Sequence, residues 1–319
     1  MNAAVVESFS APPRYTTFAD PVAGDGEQLV TVTAAGLHPL VRALASGSHY
    51  GSAGELPFVV GVDGVGRLAD GSRVYFGSAR APFGTFSELA VTRQDLAFPL
   101  PDGLDDTIAA ATANPGMSSW VALNARAKFV SGESVLILGA TGSAGQLAIQ
   151  IAKRLGARHV VAVGRHVDTN ALKTLGADSA ISLDQEHDAL VAALRKEWSD
   201  TGVDVVLDYL WGQPAEAVLE AIARKGLRQS APRVRYIQIG ESAGSTTIAL
   251  PAATLRGSGL EILGSGFGSA STAEIQRSIQ EFFAASVQQP FEVKIRPAPL
   301  REVESLWSAG DRARLVFQP

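Results

Sequence analysis

The chain has 319 residues, of which 46% are hydrophobic and 18% are charged, and its formal net charge is −5. This length allows one large domain or two ordinary ones, and the composition favours a packed core over disorder. The acidic balance argues against binding to nucleic acid or to an anionic membrane, because such proteins carry a basic face. Since the sequence has no cysteine, it can form no disulfide, thiolate nucleophile, iron–sulfur cluster or cysteine-ligated zinc site.

The sequence contains no recognisable targeting or membrane segment. The first twenty residues include Glu7, Arg14 and Asp20 and lack the apolar stretch of a secretory signal. No uncharged apolar run approaches the ~20 residues of a membrane span. These features predict a cytoplasmic protein.

Before position 115, short apolar runs alternate with glycine and proline, which is typical of strands joined by turns. Asp25-Gly26 and Asp70-Gly71 are turn signals within this part. One helix is predicted from Pro39 to Ala45. The predicted strands are Ala3–Val6, Leu29–Thr33, Gly64–Leu68, Arg73–Phe76 and Phe86–Val91.

From about Asn114 onward, apolar strands alternate with helical patterns, which predicts a doubly wound parallel sheet. Several of these strands are uninterrupted aliphatic runs, as expected where a sheet is buried on both faces. The predicted strands are Val135–Leu138, Val160–Val163, Ser179–Ile181, Val203–Leu207, Arg235–Ile239 and Leu260–Leu263. The predicted helices are Gln146–Leu155, Thr169–Leu175, Ala189–Trp198, Ala215–Arg224 and Thr272–Ala285.

The end of the chain returns to β character, with an extended stretch at Phe291–Pro299 and a last strand at Arg312–Phe317. This similarity to the first part predicts that the tail completes the N-terminal domain. The expected domains are therefore residues 1–113 with 289–319, and residues 114–288.

A glycine-rich turn directly follows the predicted strand Val135–Leu138 and directly precedes a helix. This strand–turn–helix order is the setting in which glycines let the backbone approach a pyrophosphate, which the helix N-terminus stabilises. The spacing is Gly-x-x-Gly-x-x-Gly, and the alternative is a turn that serves packing alone. The residues predicted to bind the dinucleotide here are Gly139, Ala140, Thr141, Gly142, Ser143, Ala144 and Gly145.

The end of the second parallel strand predicts which dinucleotide binds. A site for NAD usually has an acidic residue there to hold the ribose 2′-hydroxyl. This chain instead has Gly164, Arg165 and His166. An arginine suits the 2′-phosphate of NADPH through charge-assisted hydrogen bonds, and His166 is a second candidate contact. NADPH is therefore the predicted cofactor, and the alternative for Arg165 is a solvated surface side chain.

Several segments together resemble the medium-chain dehydrogenase/reductase superfamily, and within it the zinc-free quinone oxidoreductase branch. The resemblance covers nearly the whole chain. The matching segments are Pro57-Phe58-Val59-Val60-Gly61-Val62-Asp63-Gly64-Val65-Gly66, Asp70-Gly71-Ser72-Arg73-Val74-Tyr75, Phe83-Gly84-Thr85-Phe86-Ser87-Glu88, Gln150-Ile151-Ala152-Lys153, Leu175-Gly176-Ala177-Asp178 and Asp204-Val205-Val206-Leu207-Asp208.

The resemblance implies a GroES-like β-rich catalytic domain and a Rossmann domain, with nicotinamide and substrate in the cleft between them. It also implies that the backbone of Ile239 and Gly240, together with Phe267, approaches the nicotinamide. Branch members often form homodimers through the last Rossmann strands, here Leu260–Gly264. A small-molecule quinone or enone is the implied substrate.

The chain departs from the family pattern at the expected catalytic centre. Zinc-dependent relatives have cysteine and histidine ligands, whereas this chain has no cysteine and has Asp63 where they have a His-Glu pair, so no metal is expected. The branch commonly has Gly-Val-Asn-Pro where this chain has Gly36-Leu37-His38-Pro39. His38 is expected to line the cleft or to cap the following helix. Val41 and Ala45 replace the family's Asp and Arg, so the substrate does not transfer from better-known members.

Reduction of a quinone or an activated alkene gains from a hydrogen-bond donor at the oxygen that becomes negatively charged. By resemblance, Tyr50 lies near the nicotinamide and is the first candidate for that donor or for a wall of the pocket, followed by His38 and Ser118. Asn114 and Trp120 are expected to line the cleft or to pack at the domain junction.

The predicted function is an NADPH-dependent, zinc-independent oxidoreductase that transfers hydride to a quinone or an α,β-unsaturated carbonyl compound. The alternatives are a metal-free aldehyde or ketone reductase and a catalytically silent NADPH-binding protein. Gly240-Glu241-Ser242-Ala243-Gly244 matches the hydrolase motif Gly-x-Ser-x-Gly. That motif requires a helix directly after the serine, whereas a β-like polar stretch follows here, so the match is interpreted as chance.

Overall fold

The computed structural model describes residues 1–49, 51–52, 55–77, 80–223, 231–266, 268–310 and 313–319. The chain divides into two units, one formed by residues 1–114 with 279–319 and the other by residues 115–278.

The first part of the chain consists mainly of strands, as the short apolar runs predict. Its elements are β1 (Asn2–Val6), β2 (Arg14–Thr17), β3 (Glu27–Gly36), α1 (Pro39–Ala45), β4 (Phe58–Val59), β5 (Asp63–Arg67), β6 (Arg73–Gly77), β7 (Leu89–Arg93), a 3₁₀ turn (Gln94–Leu96) and β8 (Ala97–Pro99). A long helix α2 (Asp106–Val121) then continues into a π-helix (Ala122–Ala127).

The middle of the chain alternates strands and helices. Its elements are β9 (Ser134–Leu138), α3 (Ser143–Arg154), β10 (His159–Gly164), α4 (Thr169–Thr174), β11 (Ser179–Ser182), α5 (His187–Asp200), β12 (Val205–Asp208), α6 (Gly212–Ile222), β13 (Arg233–Gln238), α7 (Ala252–Arg256), β14 (Gly259–Gly264) and α8 (Thr272–Gln288). The tail contains β15 (Ile295–Pro299), a 3₁₀ turn (Leu300–Glu302), α9 (Val303–Leu306) and β16 (Arg314–Gln318).

In the second unit, six strands form one sheet in the order β11-β10-β9-β12-β13-β14, and every pairing is parallel. Counted along the chain, this is the 3-2-1-4-5-6 order of a Rossmann fold, whose ligands bind beyond the carboxyl ends of the strands where the order reverses. That reversal lies between β9 and β12. Fully buried aliphatic side chains such as Leu136, Val161 and Val206 pack with α5 and α6 on one side of the sheet.

The first unit contains a three-stranded sheet, β2-β1-β4, and a seven-stranded sheet in which β15, β16, β3, β5, β6 and β8 follow one another and β7 pairs with β3. The last strand β16 pairs antiparallel with β3 through Val316 and Phe317. The tail therefore completes the N-terminal β structure, as its composition predicts. Buried side chains from both ends of the chain, including Phe86 and Phe317, share one core.

The main difference from the sequence-based prediction is helix α2, which the sequence pattern does not indicate. Its residues 109–113 are all buried, so it lacks the apolar stripe by which a surface helix is recognised, and it contains Pro115. The strand predicted at Phe86–Val91 begins three residues later. Within the described part of the chain, no helix has both the length and the apolarity needed to cross a membrane.

Candidate functional site

The glycine-rich turn connects β9 to α3 at the carboxyl edge of the parallel sheet. Gly139 adopts φ +97°, and its N–H donates to the carbonyl oxygen of Val163 at 2.8 Å. The N–H of Ala140 donates to the same oxygen at 2.9 Å. Gly142 closes the turn by donating to the carbonyl oxygen of Gly139 at 3.1 Å. The turn is therefore fixed to the end of β10 by backbone hydrogen bonds.

Two glycines allow this turn to pack closely. A Cβ on Gly145, in the first turn of α3, would lie 2.3 Å from the carbonyl oxygen of Gly139 and 2.6 Å from Cα of Ala140. A Cβ on Gly164, the last residue of β10, would lie 2.8 Å from side-chain atoms of Thr141. Since the atoms opposing Gly145 belong to the backbone, they cannot move aside as a flexible side chain would. Gly145 is needed for the close approach of helix and turn.

The N-terminus of α3 has the properties of an anion site. The first N–H groups of any helix have no acceptor within the helix. The N-cap residue of α3 is Gly142, which is exposed and makes no side-chain cap. The free amides and the helix dipole therefore favour a negatively charged group at this place. These residues fit the diphosphate of a dinucleotide.

The tip of β10 carries the residues predicted to select the dinucleotide. Arg165 and His166 directly follow β10 and are exposed. Among the described residues, Arg165 has no hydrogen bond or ion pair, so its guanidinium can receive a ligand. His166 adopts φ 49°, and its backbone N–H donates to Oδ2 of Asp184 at 2.5 Å. At this end of the sheet, the unpaired guanidinium of Arg165 fits a 2′-phosphate. The carboxylate of Asp184 lies beside it and is held by the backbone of His166.

Ile239 and Gly240 lie just beyond the end of β13, where both are half-buried. Their N–H groups donate to the carbonyl oxygen of Asp208 at 2.8 and 3.1 Å. A Cβ on Gly240 would lie 2.9 Å from the carbonyl oxygen of Tyr209. The backbone at positions 239 and 240 is therefore held against the end of β12, at the same edge of the sheet as the glycine-rich turn.

Asp208 ends β12 and is fully buried. Burial raises the pKa of its carboxyl group, opposed by hydrogen bonds from the Trp211 N–H, the Tyr236 hydroxyl and the Leu210 N–H. These donors lie 3.0, 2.7 and 2.8 Å from its oxygens. Trp211 has φ 60° and ψ −166°, a region that residues other than glycine rarely occupy. Asp208 therefore holds a strained turn at the carboxyl edge.

In the first unit, His38 belongs to a buried polar cluster with Asp63 and Tyr75. His38 and Asp63 are each 4% exposed and Tyr75 is 3% exposed. Nε2 of His38 lies 2.7 Å from Oδ1 of Asp63, and the Tyr75 hydroxyl donates to Oδ2 at 2.7 Å. His38 occupies the N-cap position of α1 without making a side-chain cap. His38 therefore caps this helix through its backbone carbonyl, which accepts from the N–H groups of Val41 and Arg42, and not through its side chain.

Arg314 is a buried arginine next to this cluster. It is 7% exposed, and its Nη1 donates to the carbonyl oxygen of Leu37 at 3.2 Å. Burial lowers the pKa of Arg314, and the charge of Asp63 opposes that shift. Burial also raises the pKa of Tyr75 well above its usual value, and the charge of Asp63 raises it further. The cluster therefore lies close to a buried arginine that donates to the backbone next to His38.

The contact with Asp63 fixes the role of one imidazole nitrogen. A carboxylate can only accept hydrogen bonds, so Nε2 of His38 is the donor to Oδ1 of Asp63. Nδ1 is then the ring nitrogen that remains for another contact.

The remaining candidates on α2 differ in exposure. Asn114 and Ser118 are half-buried, whereas Trp120 is buried. The neighbouring Ser119 is fully buried, and its hydroxyl lies 2.8 Å from the hydroxyl of Tyr209. Burial raises the pKa of Tyr209 well above its usual value, opposed by the hydrogen bond with Ser119. The structure therefore gives Ser119, rather than Ser118, a structural partner.

Tyr50 and Phe267 lie outside the described residues. Among the residues that are described, no three His, Asp or Glu side chains are grouped so that they could hold a metal ion. Residues 241–250 contain no helix, which confirms that Gly240–Gly244 is not a hydrolase nucleophile turn.

Sequence reasoning missed Asp63, Tyr75, Arg314 and Asp184 as parts of these sites. A signal for the first existed, since Asp63 follows the apolar run Phe58–Val62 and a buried carboxylate requires a partner. Arg314 gives a similar signal, since it directly precedes the apolar run Leu315-Val316-Phe317. Their partners could not be identified from sequence spacing alone.

Comparisons with known proteins agree with this architecture. Residues 144–284 match the family model described as zinc-binding dehydrogenase. The probable NADPH-dependent quinone reductase tdiC of Emericella nidulans is 29% identical, with all of both chains covered. Prostaglandin reductase-3 of Bos taurus is 30% identical over 71% of this chain, which spans 58% of that protein.

Among solved structures, the quinone oxidoreductase of Thermus thermophilus, whose complex with NADPH is also known, is 25% identical. All of both chains is covered, and the TM-score is 0.80. This likeness extends over both the Rossmann sheet and the β-rich unit, which confirms the predicted combination of a Rossmann fold with a GroES-like domain. The chain belongs to the medium-chain dehydrogenase/reductase superfamily, in its quinone oxidoreductase branch.

Proposed function

We propose that this protein is an NADPH-dependent oxidoreductase that reduces a quinone or an α,β-unsaturated carbonyl compound without a metal ion. The observation that carries the proposal is the turn Gly139–Gly145 at the carboxyl edge of the 3-2-1-4-5-6 sheet, followed by an uncapped helix. The exposed Arg165 supports NADPH over NADH. The named reductases among the relatives support the reaction class.

NADPH, when bound, supplies the hydride. An enone takes up this hydride at carbon and a proton, which gives the saturated carbonyl compound. A quinone takes up two electrons and two protons in total, which gives the hydroquinone. The residues of the chain must hold the acceptor beside the cofactor and provide a hydrogen bond or a proton at the acceptor oxygen.

We propose Tyr50 as the first candidate for that donor, with Ser118 and His38 as further candidates. The support for Tyr50 is the family resemblance, and the support for Ser118 is its half-buried position on α2. His38 is retained as a candidate whose Nε2 is already held by Asp63. We also propose that Asn114 and Trp120 lie near the substrate. Ile239, Gly240 and Phe267 are proposed to lie near the nicotinamide. Residues 1–113 with 289–319 are the proposed catalytic domain.

The function is tested by following the loss of reduced-nicotinamide absorbance with NADPH and with NADH against quinones, enones, aldehydes and ketones. We expect turnover with a quinone or an enone. Turnover restricted to aldehydes or ketones would support the alternative carbonyl reductase. Binding of NADPH without turnover on any acceptor would support the catalytically silent protein, and no binding of either dinucleotide would contradict the proposal as a whole.

Replacing Arg165 with aspartate is expected to weaken NADPH binding by about 100-fold, the value of one or two charge-assisted hydrogen bonds. The dissociation constant for NADH should change far less, because NADH has no 2′-phosphate. Arg165→Lys is the matched control, since it keeps the charge and loses the bidentate geometry, so an intermediate effect is expected. Titration calorimetry gives both constants, and an unchanged preference would contradict the role of Arg165.

We further propose that the protein is a cytoplasmic homodimer. β14 is the edge strand of the parallel sheet and pairs only with β13 among the described strands, so its outer backbone groups are available to a second copy. The cytoplasmic location is proposed because NADPH is an intracellular cofactor. Sedimentation velocity and cell fractionation test the two statements, and a monomer or a secreted protein would contradict them.

A further inference from the structure

The second and third strands of the parallel sheet end side by side. β10 and β11 pair in parallel, with Gly164 opposite Ser182. The residues that follow them therefore emerge at the same edge, although they are 18 positions apart in the sequence. Asp184 is brought to the backbone of His166 in this way, with its Oδ2 accepting the His166 N–H at 2.5 Å.

The position of this carboxylate is fixed by several contacts. The Asp184 N–H donates to the hydroxyl oxygen of Ser182 at 3.0 Å. Oδ2 of Asp184 also lies 3.4 Å from Nδ1 of the His166 ring. His166 adopts the left-handed conformation, φ 49°, which histidine tolerates better than most residues. The carboxylate is therefore held at the tip of β10, and its side chain remains 39% exposed.

The other charged side chains at the tip of β10 make different contacts. Arg165 is exposed and has no partner among the described residues, so its charge is available. Asp168 is the N-cap of α4, where its Oδ1 accepts the N–H of Ala171 at 3.0 Å. Asp184 is thus the carboxylate whose exposed part faces solvent next to the residues that follow β10.

We propose that Asp184 allows the protein to bind NADH as well as NADPH, by providing the ribose-binding carboxylate that position 165 lacks. This inference rests on the proposed function. A carboxylate at the tip of the second strand accepts hydrogen bonds from the ribose hydroxyls of NADH, and Asp184 supplies one from the third strand. The same charge repels the 2′-phosphate of NADPH, which Arg165 attracts. The two residues oppose each other in the choice of cofactor.

Replacing Asp184 with asparagine separates these contributions, because asparagine keeps an oxygen that can accept the His166 N–H. We expect NADPH to bind about tenfold more tightly at low ionic strength, as removal of one nearby charge predicts. The gain should shrink as salt is added. NADH should bind more weakly, because the ribose hydroxyls lose the carboxylate, so the preference for NADPH rises; unchanged NADH affinity would contradict the proposal.

Two control variants identify the cause. Asp184→Glu keeps the charge and should retain the wild-type preference. Asp200→Asn removes a carboxylate at the other end of α5, where Asp200 pairs with Lys196, and should leave both dissociation constants unchanged. Thermal unfolding of each variant should match that of the wild type, since Asp184 and Asp200 are exposed side chains.

The dissociation constants of the wild-type protein separate the two proposals. Wild-type protein that binds NADPH, combined with an unchanged preference in Asp184→Asn, would overturn the role of Asp184 and leave the proposed function standing. Wild-type protein that binds NADPH but shows no NADH binding would also overturn it. Wild-type protein that binds neither dinucleotide would overturn both.

Discussion

Replacing Gly145 with alanine is expected to abolish measurable NADPH binding and to lower the melting temperature by about 2–12 °C. The added Cβ would lie 2.3 Å from the carbonyl oxygen of Gly139 and 2.6 Å from Cα of Ala140. Overpacking of this kind costs about 1–3 kcal/mol, and each kcal/mol shifts the melting temperature of a domain of this size by about 2–4 °C. Since the helix must move away from the turn, its N–H groups no longer converge on the diphosphate.

Gly142→Ala is the matched control in the same turn. A Cβ at this position has one neighbour, the carbonyl oxygen of Gly139 at 3.5 Å, and the backbone at φ −79° suits alanine. The melting temperature should stay within about 2 °C of the wild type, whereas NADPH binding should weaken because the methyl group occupies the exposed approach to the helix N-terminus. Calorimetry and thermal unfolding give both quantities. Wild-type affinity in Gly145→Ala would contradict the assignment of the turn.

The turn could be predicted from the sequence because its determinants are local. The strand Ser134–Leu138, the three glycines and the amphipathic helix Ser143–Arg154 lie in 21 consecutive residues. Each of these features has its own periodicity or conformational requirement. The same is true of the alternating strands and helices, which is why the Rossmann order could be expected before any strand pairing was known.

The cluster around Asp63 could not be predicted in this way, since its members come from distant parts of the chain. His38 precedes α1, Asp63 begins β5, Tyr75 lies on β6 and Arg314 begins β16. The pairings of β5 with β6, of β3 with β5 and of β16 with β3 bring these elements together. The sequence shows isolated charges beside apolar runs, but it does not show which groups contact them.

Asp184 was missed for a related reason. The usual search for a ribose-binding acid examines the end of the second strand, where this chain has Arg165. The third strand ends at the same edge because β10 and β11 pair in parallel. A carboxylate at its end can therefore reach the same ligand, and a search limited to one strand end leaves it out.

Replacing Asp63 with asparagine is expected to destabilise the protein by about 1–3 kcal/mol, because the buried Nε2 of His38 and the buried Tyr75 hydroxyl lose the carboxylate that accepts hydrogen bonds from both. Arg314 would keep its positive charge at 7% exposure. His38 Nε2 and the Tyr75 hydroxyl both donate to Asp63. Asparagine has only one acceptor oxygen, so its NH2 group would face one of these two donors. Chemical denaturation should show this loss as a lower midpoint with an unchanged slope.

A double-mutant cycle tests whether the cost arises from the unpaired arginine. Arg314→Met combined with Asp63→Asn should recover about 2 kcal/mol relative to the sum of the two single variants, because the uncompensated charge is then gone. Asp95→Asn is the control in the same unit, since Asp95 pairs with Arg93 at the surface and such pairs contribute at most about 1 kcal/mol. Additive effects of Asp63→Asn and Arg314→Met would show that the two charges do not stabilise each other.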